Sequence, residues 1–154
     1  MDSIEWCLKQ KNGLEIMQPN KNMAGSYLKM AEETIIALEG MKSRIWSATA
    51  SYYVFYYSLY SLMLRIGVKC EIHSCSLRFM NAFLEDFYDP KDNEMIEKAF
   101  SARKDLQYYA DRPVDDEKIR QIKKYCKDFF IKTKDISARI TDAQIREIRL
   151  NLQN

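Results

Sequence analysis

The sequence predicts an all-α protein: an antiparallel up-and-down helical bundle with short extra helices at its ends. Three observations predict it. Apolar residues recur every three or four positions almost throughout, and no period-two alternation lasts long enough to make a strand. Four Gly and three Pro in 154 residues leave little material for hairpins or linkers. Helix start and stop residues punctuate the chain at helix-length intervals, leaving only short connections.

The first short helix is expected from about Ser3 to Gln10, followed by the loop "NGLEIMQPN" with Gly13 and Pro19. Asn20 or Asn22 caps the next helix, where Tyr27, Ala31, Ile35 and Leu38 keep helical spacing and Gly40 ends the run. Ser43 caps a long aromatic helix that Gly67 stops. Ser74 is the expected cap of a helix with Leu77, Met80, Phe83, Leu84 and Phe87 on one face. Asp89 with Pro90 gives the next start signal, for a helix running to about Ala110 and closed by "DRP". Asp115 or Asp116 opens a long helix with Ile119, Ile122, Cys126, Phe129, Thr133 and Ile136 inward. Thr141 and Gln144 make a capping-box pair for the last helix.

The length points to a single domain over 1–154, with its core at about 20–138 and short helices at both ends. The composition, 47% apolar and 30% charged, is that of a soluble globular chain, and a net charge of +2 does not by itself imply nucleic acid. "MDSIEWCLKQK" lacks the basic and apolar regions of a signal peptide. The four cysteines are therefore read as reduced thiols of a cytoplasmic protein.

The run Ile45–Leu64 is uncharged and holds five of the ten tyrosines. Its twenty residues would make a helix of roughly 30 Å, the length of a membrane span. Half of them carry a hydroxyl, and tyrosine belongs at the membrane interface rather than along a span, so no membrane is expected. The inner face reads Ile45, Thr49, Tyr52, Phe55 or Tyr56, Leu59, Leu62 and Ile66. A second face carries Trp46, Tyr53, Tyr57, Tyr60 and Leu64. Between them runs a stripe of Ser47, Ser51, Val54, Ser58, Ser61 and Arg65. The helix is either the centre of one bundle or also the meeting surface of a homodimer, with the small stripe admitting a second helix.

Arg103 interrupts the apolar seam Ile96, Ala99, Phe100, Leu106, Gln107 and Ala110. An inward guanidinium needs a carboxylate, carbonyls or a ligand anion. It either snorkels or pairs with a carboxylate on another helix, or it serves a cleft or subunit interface.

The stretches "ATASYYVFYYSLYSLMLRIGVKCEIHS" and "ARKDLQYYADRPVD" resemble small stand-alone members of the HEPN domain family. The points of resemblance are Ala50 to Tyr53, Gly67, His73-Ser74, and Arg103 followed by Tyr108. The stretch "CLKQKNGLEIMQPNKNMAGSYLKMAEE" is similar as well, with Cys7-Leu8-Lys9 and Ala24-x-x-Tyr27-Leu28 in place, although Lys21 stands where the family's Asn-x-x-Ala-x-x-Tyr-Leu helix has its Asn, so the likeness covers most of residues 5 to 135. It implies a helical bundle, usually dimeric, often paired with a minimal nucleotidyltransferase as a toxin–antitoxin module. It also implies, for active members, metal-independent RNA cleavage by an arginine and a histidine four to six residues beyond it, with no cofactor. This chain departs there, with Tyr108 five residues after Arg103 and His73 as its single histidine.

Two functions follow as expectations. One is a dimeric nucleotide-, RNA- or partner-binding module, with Arg103 in a cleft and Tyr53, Tyr57, Tyr108 and Tyr109 facing the partner or nucleotide. The other is a metal-independent endoribonuclease using Arg103 and His73. In relatives of this kind the transferase adds AMP to a tyrosine near the arginine, which here points to Tyr108 or Tyr109. "CEIHSC" brings Cys70, His73 and Cys75 together, with Cys7 and Cys126 as further donors, but no second half of a zinc knuckle follows. A core-facing Cys75 is the alternative, and no metal is assigned. The basic residues Lys118, Arg120, Lys123, Lys124, Lys127, Lys132 and Lys134 make either a solvated face or a phosphate track. No Gly-rich phosphate loop, HExxH or GxSxG occurs.

Overall fold

The computed structural model describes residues 3–154 as an all-α helical bundle. The helices are α1 (Ile4–Lys9), α2 (Lys21–Glu39), α3 (Arg44–Ile66), α4 (His73–Phe83), α5 (Pro90–Tyr108), α6 (Asp116–Arg139) and α7 (Asp142–Gln153). Ser3, Asn20, Ser43, Asp89, Asp115 and Thr141 each accept a first-turn N–H through the side chain, so six starts are fixed by local sequence. Asp89/Asp92 and Thr141/Gln144 form reciprocal capping boxes. The seventh start differs from expectation. Helix α4 begins at His73 after Ile72, which gives no side-chain cap, so Ser74 lies inside the first turn.

A sheet of two two-residue strands was not expected. β1 (Glu15–Ile16) pairs antiparallel with β2 (Val68–Lys69), with Glu15 opposite Lys69 and Ile16 opposite Val68. The pairing is tertiary, and so leaves no alternation in the sequence. Gly67, at φ +95°, turns the chain from α3 into β2. A Cβ there would collide with the Arg149 guanidinium and approach the Met17 carbonyl oxygen to 2.6 Å.

Helix α3 packs against α2, α5 and α6, and most of its residues are buried. Its Ser stripe is used inside the bundle. Ser47, Ser51, Val54, Ser58 and Ser61 are all buried, and Ser61 Oγ donates to the Ala24 carbonyl of α2 at 2.6 Å. The small side chains let α2 approach, so the stripe offers no surface to a second subunit. Ile45, expected inward, is 42% exposed and Trp46 is 59% exposed, because the first turn of α3 is left uncovered. Tyr60 and Leu64, of the second face, are buried as well. The inward set of α6 is buried as expected.

The cysteines require a correction. Cys7 of α1 and Cys75 of α4 form a disulfide, while Cys70 and Cys126 are free and buried. Reduced thiols were expected at all four positions. A pair 68 residues apart becomes neighbours only when α1 folds back onto α4. Burial pushes the Cys126 thiol up to about 12, so it is inert at neutral pH. Among the described residues no helix is long and apolar enough to cross a membrane.

Candidate functional site

The Arg103 seam and the tyrosine helix meet at one place. Helix α5 lies along α3, and Gln107 Nε2 donates to Thr49 Oγ1 at 3.0 Å, which fixes the register between the two helices. One turn earlier on α5, the Arg103 guanidinium rests on two rings, 5.4 Å from the Tyr52 centroid and 5.3 Å from that of Tyr53. It ion-pairs with no carboxylate among the described residues. Its Nε is buried without a hydrogen-bond partner. The expected alternative of a carboxylate on another helix is therefore not what holds it. Aromatic faces do, by cation–π attraction.

His73 joins the same cluster from the start of α4. Its Nδ1 lies 2.7 Å from the Tyr52 hydroxyl, and its ring stacks on Tyr56 with centroids 3.9 Å apart. Phe100 closes the wall against both Tyr52 and His73. Burial, and secondarily the Arg103 charge, push the imidazole down to about 4, so it is neutral at physiological pH. Burial pushes the Tyr52 phenol upward and keeps its proton. The Tyr52 hydroxyl has no other acceptor among the described residues, so its O–H donates to Nδ1. The imidazole proton is then on Nε2, which makes His73 a hydrogen-bond donor whose lone pair is already engaged.

This shift has a measurable consequence. The native imidazole titrates near 4 and the unfolded one near 6.5, so between these values the unfolded chain binds more protons. Stability is full above pH 6.5 and is lost as pH falls toward 4. Solvent screening of this half-buried group reduces the effect to on the order of 1–2 kcal/mol. Urea midpoints of wild type and His73→Gln across this range should diverge in slope, the variant being flatter. Parallel curves would refute the assignment.

Of the residues the sequence singles out, Arg103, His73 and Tyr53 come together. Tyr57 extends the wall, with its ring 5.2 Å from Tyr53. Tyr108 and Tyr109 stand apart from this wall. Tyr108 is 66% exposed at the last position of α5, and Tyr109 carries the Arg112 guanidinium over its ring at 3.9 Å. The sequence places Tyr52, and Phe55 or Tyr56, on the inner face of the helix, and the link of Tyr52 and Tyr56 to His73 crosses between helices that no local pattern relates.

The other donor groups do not converge. Cys7 and Cys75 are bonded, and the Cys70 thiol donates to the Ile72 carbonyl. No group of three or more His, Cys, Asp or Glu is placed to hold a metal among the described residues. The basic residues of α6 are interleaved with acids: Arg120 pairs with Glu117, Lys127 with Glu39 and Lys132 with Asp92. That pattern suits a solvated face better than a phosphate track.

No protein-family model, no curated protein and no solved structure matches this chain.

Proposed function

We propose that the protein is a helical nucleotide- or RNA-binding module of the HEPN type. The observation that carries this reading is the Arg103 guanidinium, held on two tyrosine rings and ion-paired with no carboxylate among the described residues. Such an arginine is neutralised by an anion from outside, and a phosphate suits its fork of donors. The half-buried rings of Tyr53 and Tyr57 offer stacking faces next to it, and base stacking tolerates any sequence. A neutral His73 contributes its Nε2–H as a further donor.

The test is single-stranded RNA binding, followed by fluorescence anisotropy in EDTA. Arg103→Ala should weaken binding about tenfold or more, through loss of one charge-assisted contact and the disturbed wall. Unchanged affinity removes this reading. The same samples examine a second one. Arg103 and His73 fall in one cluster, which favours a metal-independent endoribonuclease over two unrelated residues. Cleavage products in EDTA that vanish in both Arg103→Ala and His73→Gln would establish it. Intact RNA leaves the binding module.

The module is proposed to work as a homodimer with a minimal nucleotidyltransferase as partner. Support comes from the bundle end beside the site. Ile45, Trp46, Tyr108 and Tyr109 are all exposed there, brought together by the Gln107–Thr49 contact. Sedimentation at micromolar concentration should give twice the 18.2 kDa chain mass, and Trp46→Asp should return it to the monomer. A monomeric wild type would end the dimer proposal. Tyr108 is the accessible phenol for the transferase. An adenylyl adduct on it after co-expression is expected, and unmodified peptide beside an active transferase would exclude that role.

A further inference from the structure

A second basic site lies away from Arg103. The first turn of α2, the last turn of α3 and helix α7 enclose an open cavity of about 580 Å³. Lys21, Arg65, Arg146 and Arg149 line it, and Asp142 is the one acid on its wall among the described residues. None of the four cations ion-pairs with a carboxylate among the described residues. We infer that this cavity binds a small ligand carrying two or more linked phosphates.

Part of the arrangement has a structural explanation. Arg149 Nη1 donates to the carbonyls of Met17, Ile66 and Gly67 at 2.6, 3.2 and 3.0 Å, closing the end of α3. Arg65 stands in the last turn of α3, where a cation complements the helix dipole. Neither reason covers the other two. Lys21 occupies the first position of α2, a helix with no acid in its first turn, so its charge opposes the dipole. Arg146 is exposed and lies three residues before Arg149 on the same face of α7. Four like charges around one hollow repel each other, the Asp142 carboxylate on the wall offsets one of them, and an entering anion turns the remaining repulsion into attraction.

The polar wall fits oligophosphate better than a single carboxylate. Arg149 is held in place by its three carbonyls, so one donor group is already oriented. The α2 N-terminus opens onto the same cavity and adds its own positive end. A neighbouring hollow of about 310 Å³ shares Lys21 and Arg65 and continues past Ala24, Gly25, Leu28 and Ser61. A Cβ at Gly25 would meet no atom within 4 Å, so there is room for a group attached to the phosphates. The combined space is within the range of small-ligand sites.

The test is calorimetric titration at low salt with sodium tripolyphosphate and with ATP. Both should bind, with affinity that falls steeply as salt is raised. Arg65→Gln combined with Arg146→Gln should weaken both by at least tenfold. ATP binding ten times more tightly than tripolyphosphate would identify a nucleotide as the ligand, with its nucleoside in the neighbouring hollow. Equal affinities would identify the oligophosphate alone. Arg120→Gln, which removes an exposed α6 cation outside the cavity lining, should bind both probes like wild type and so separates this site from general attraction to a basic surface. The proposal fails if neither probe binds at millimolar concentration, if the double variant binds unchanged, or if Arg120→Gln weakens binding as much. Should the double variant melt early, exposed Arg146→Gln alone carries the comparison, with a drop of severalfold expected and no drop overturning the site.

Discussion

Reduction of the Cys7–Cys75 bond is expected to lower the stability of the fold by about 4 kcal/mol, the entropy released when so long a loop is opened in the unfolded chain. The two cysteines are 68 residues apart, so the bond ties α1 to α4 across the whole of α2 and α3. Equilibrium urea unfolding with and without a reducing agent measures the effect. For a slope near 2 kcal/mol per molar, the midpoint should move by about 2 M. Coincident curves, with reduction verified by thiol titration, would refute the estimate. The loss should appear first in α1. Cys7 is the one buried side chain of that six-residue helix, so its amides should lose exchange protection before those of α3. Because Cys75 follows His73 by two residues, the reduced protein should also show a changed His73 imidazole resonance.

Asp92→Ala should cost about 3 kcal/mol, the range for removing one partner of a buried ionic network. Asp92 is 1% exposed and joins α5 to α6 with both carboxylate oxygens. Oδ1 accepts the Tyr125 hydroxyl at 2.8 Å, and Oδ2 accepts Lys132 Nζ at 2.6 Å. The same side chain accepts the Asp89 backbone N–H in the capping box. Removing it takes one partner each from a phenol, an ammonium and a helix start at once. The cost stays below the upper limit because Lys132 keeps Asp89 at 3.3 Å and reaches solvent. Asp92→Asn preserves shape and one acceptor, and should lose about half as much. Thermal or urea melts of the two variants test the order. An alanine variant as stable as wild type would show that this network contributes nothing.

The two basic sites differ in how they hold their charge. At Arg103 one guanidinium lies against aromatic faces, with a neutral imidazole in the same cluster. At α7 several cations surround an open cavity. The first arrangement suits a phosphate attached to a base that can stack, and the second a chain of phosphates. Their variants should therefore separate cleanly, with Arg103→Ala affecting RNA and the Arg65/Arg146 pair affecting oligophosphate.

The helices were legible because their signals are local. Asn20, Ser43, Asp89, Asp115 and Thr141 each bond to an N–H within three residues, and Gly67 supplies a left-handed stop that needs no distant partner. Burial along α6 followed from the 3.6-residue period alone. Arg103 stood out because a cation in an apolar seam is anomalous wherever the helix packs. The sequence could not show what the cation would meet. Tyr52 and His73 are 21 residues apart, with the rest of α3 and a two-residue strand between them, and their 2.7 Å contact exists only once α4 is laid beside α3. The same holds for Cys7 with Cys75, Asp92 with Lys132, and Arg149 with the carbonyls behind Gly67. The Ser stripe of α3 was visible as a close-approach surface, but not which helices approach: Ser61 meets α2 of the same chain and Ser51 meets Cys126 of α6. Caps and periodicity are set by neighbours within one turn. Pairings between helices depend on how whole faces compete for a single core, and that competition is settled only in three dimensions.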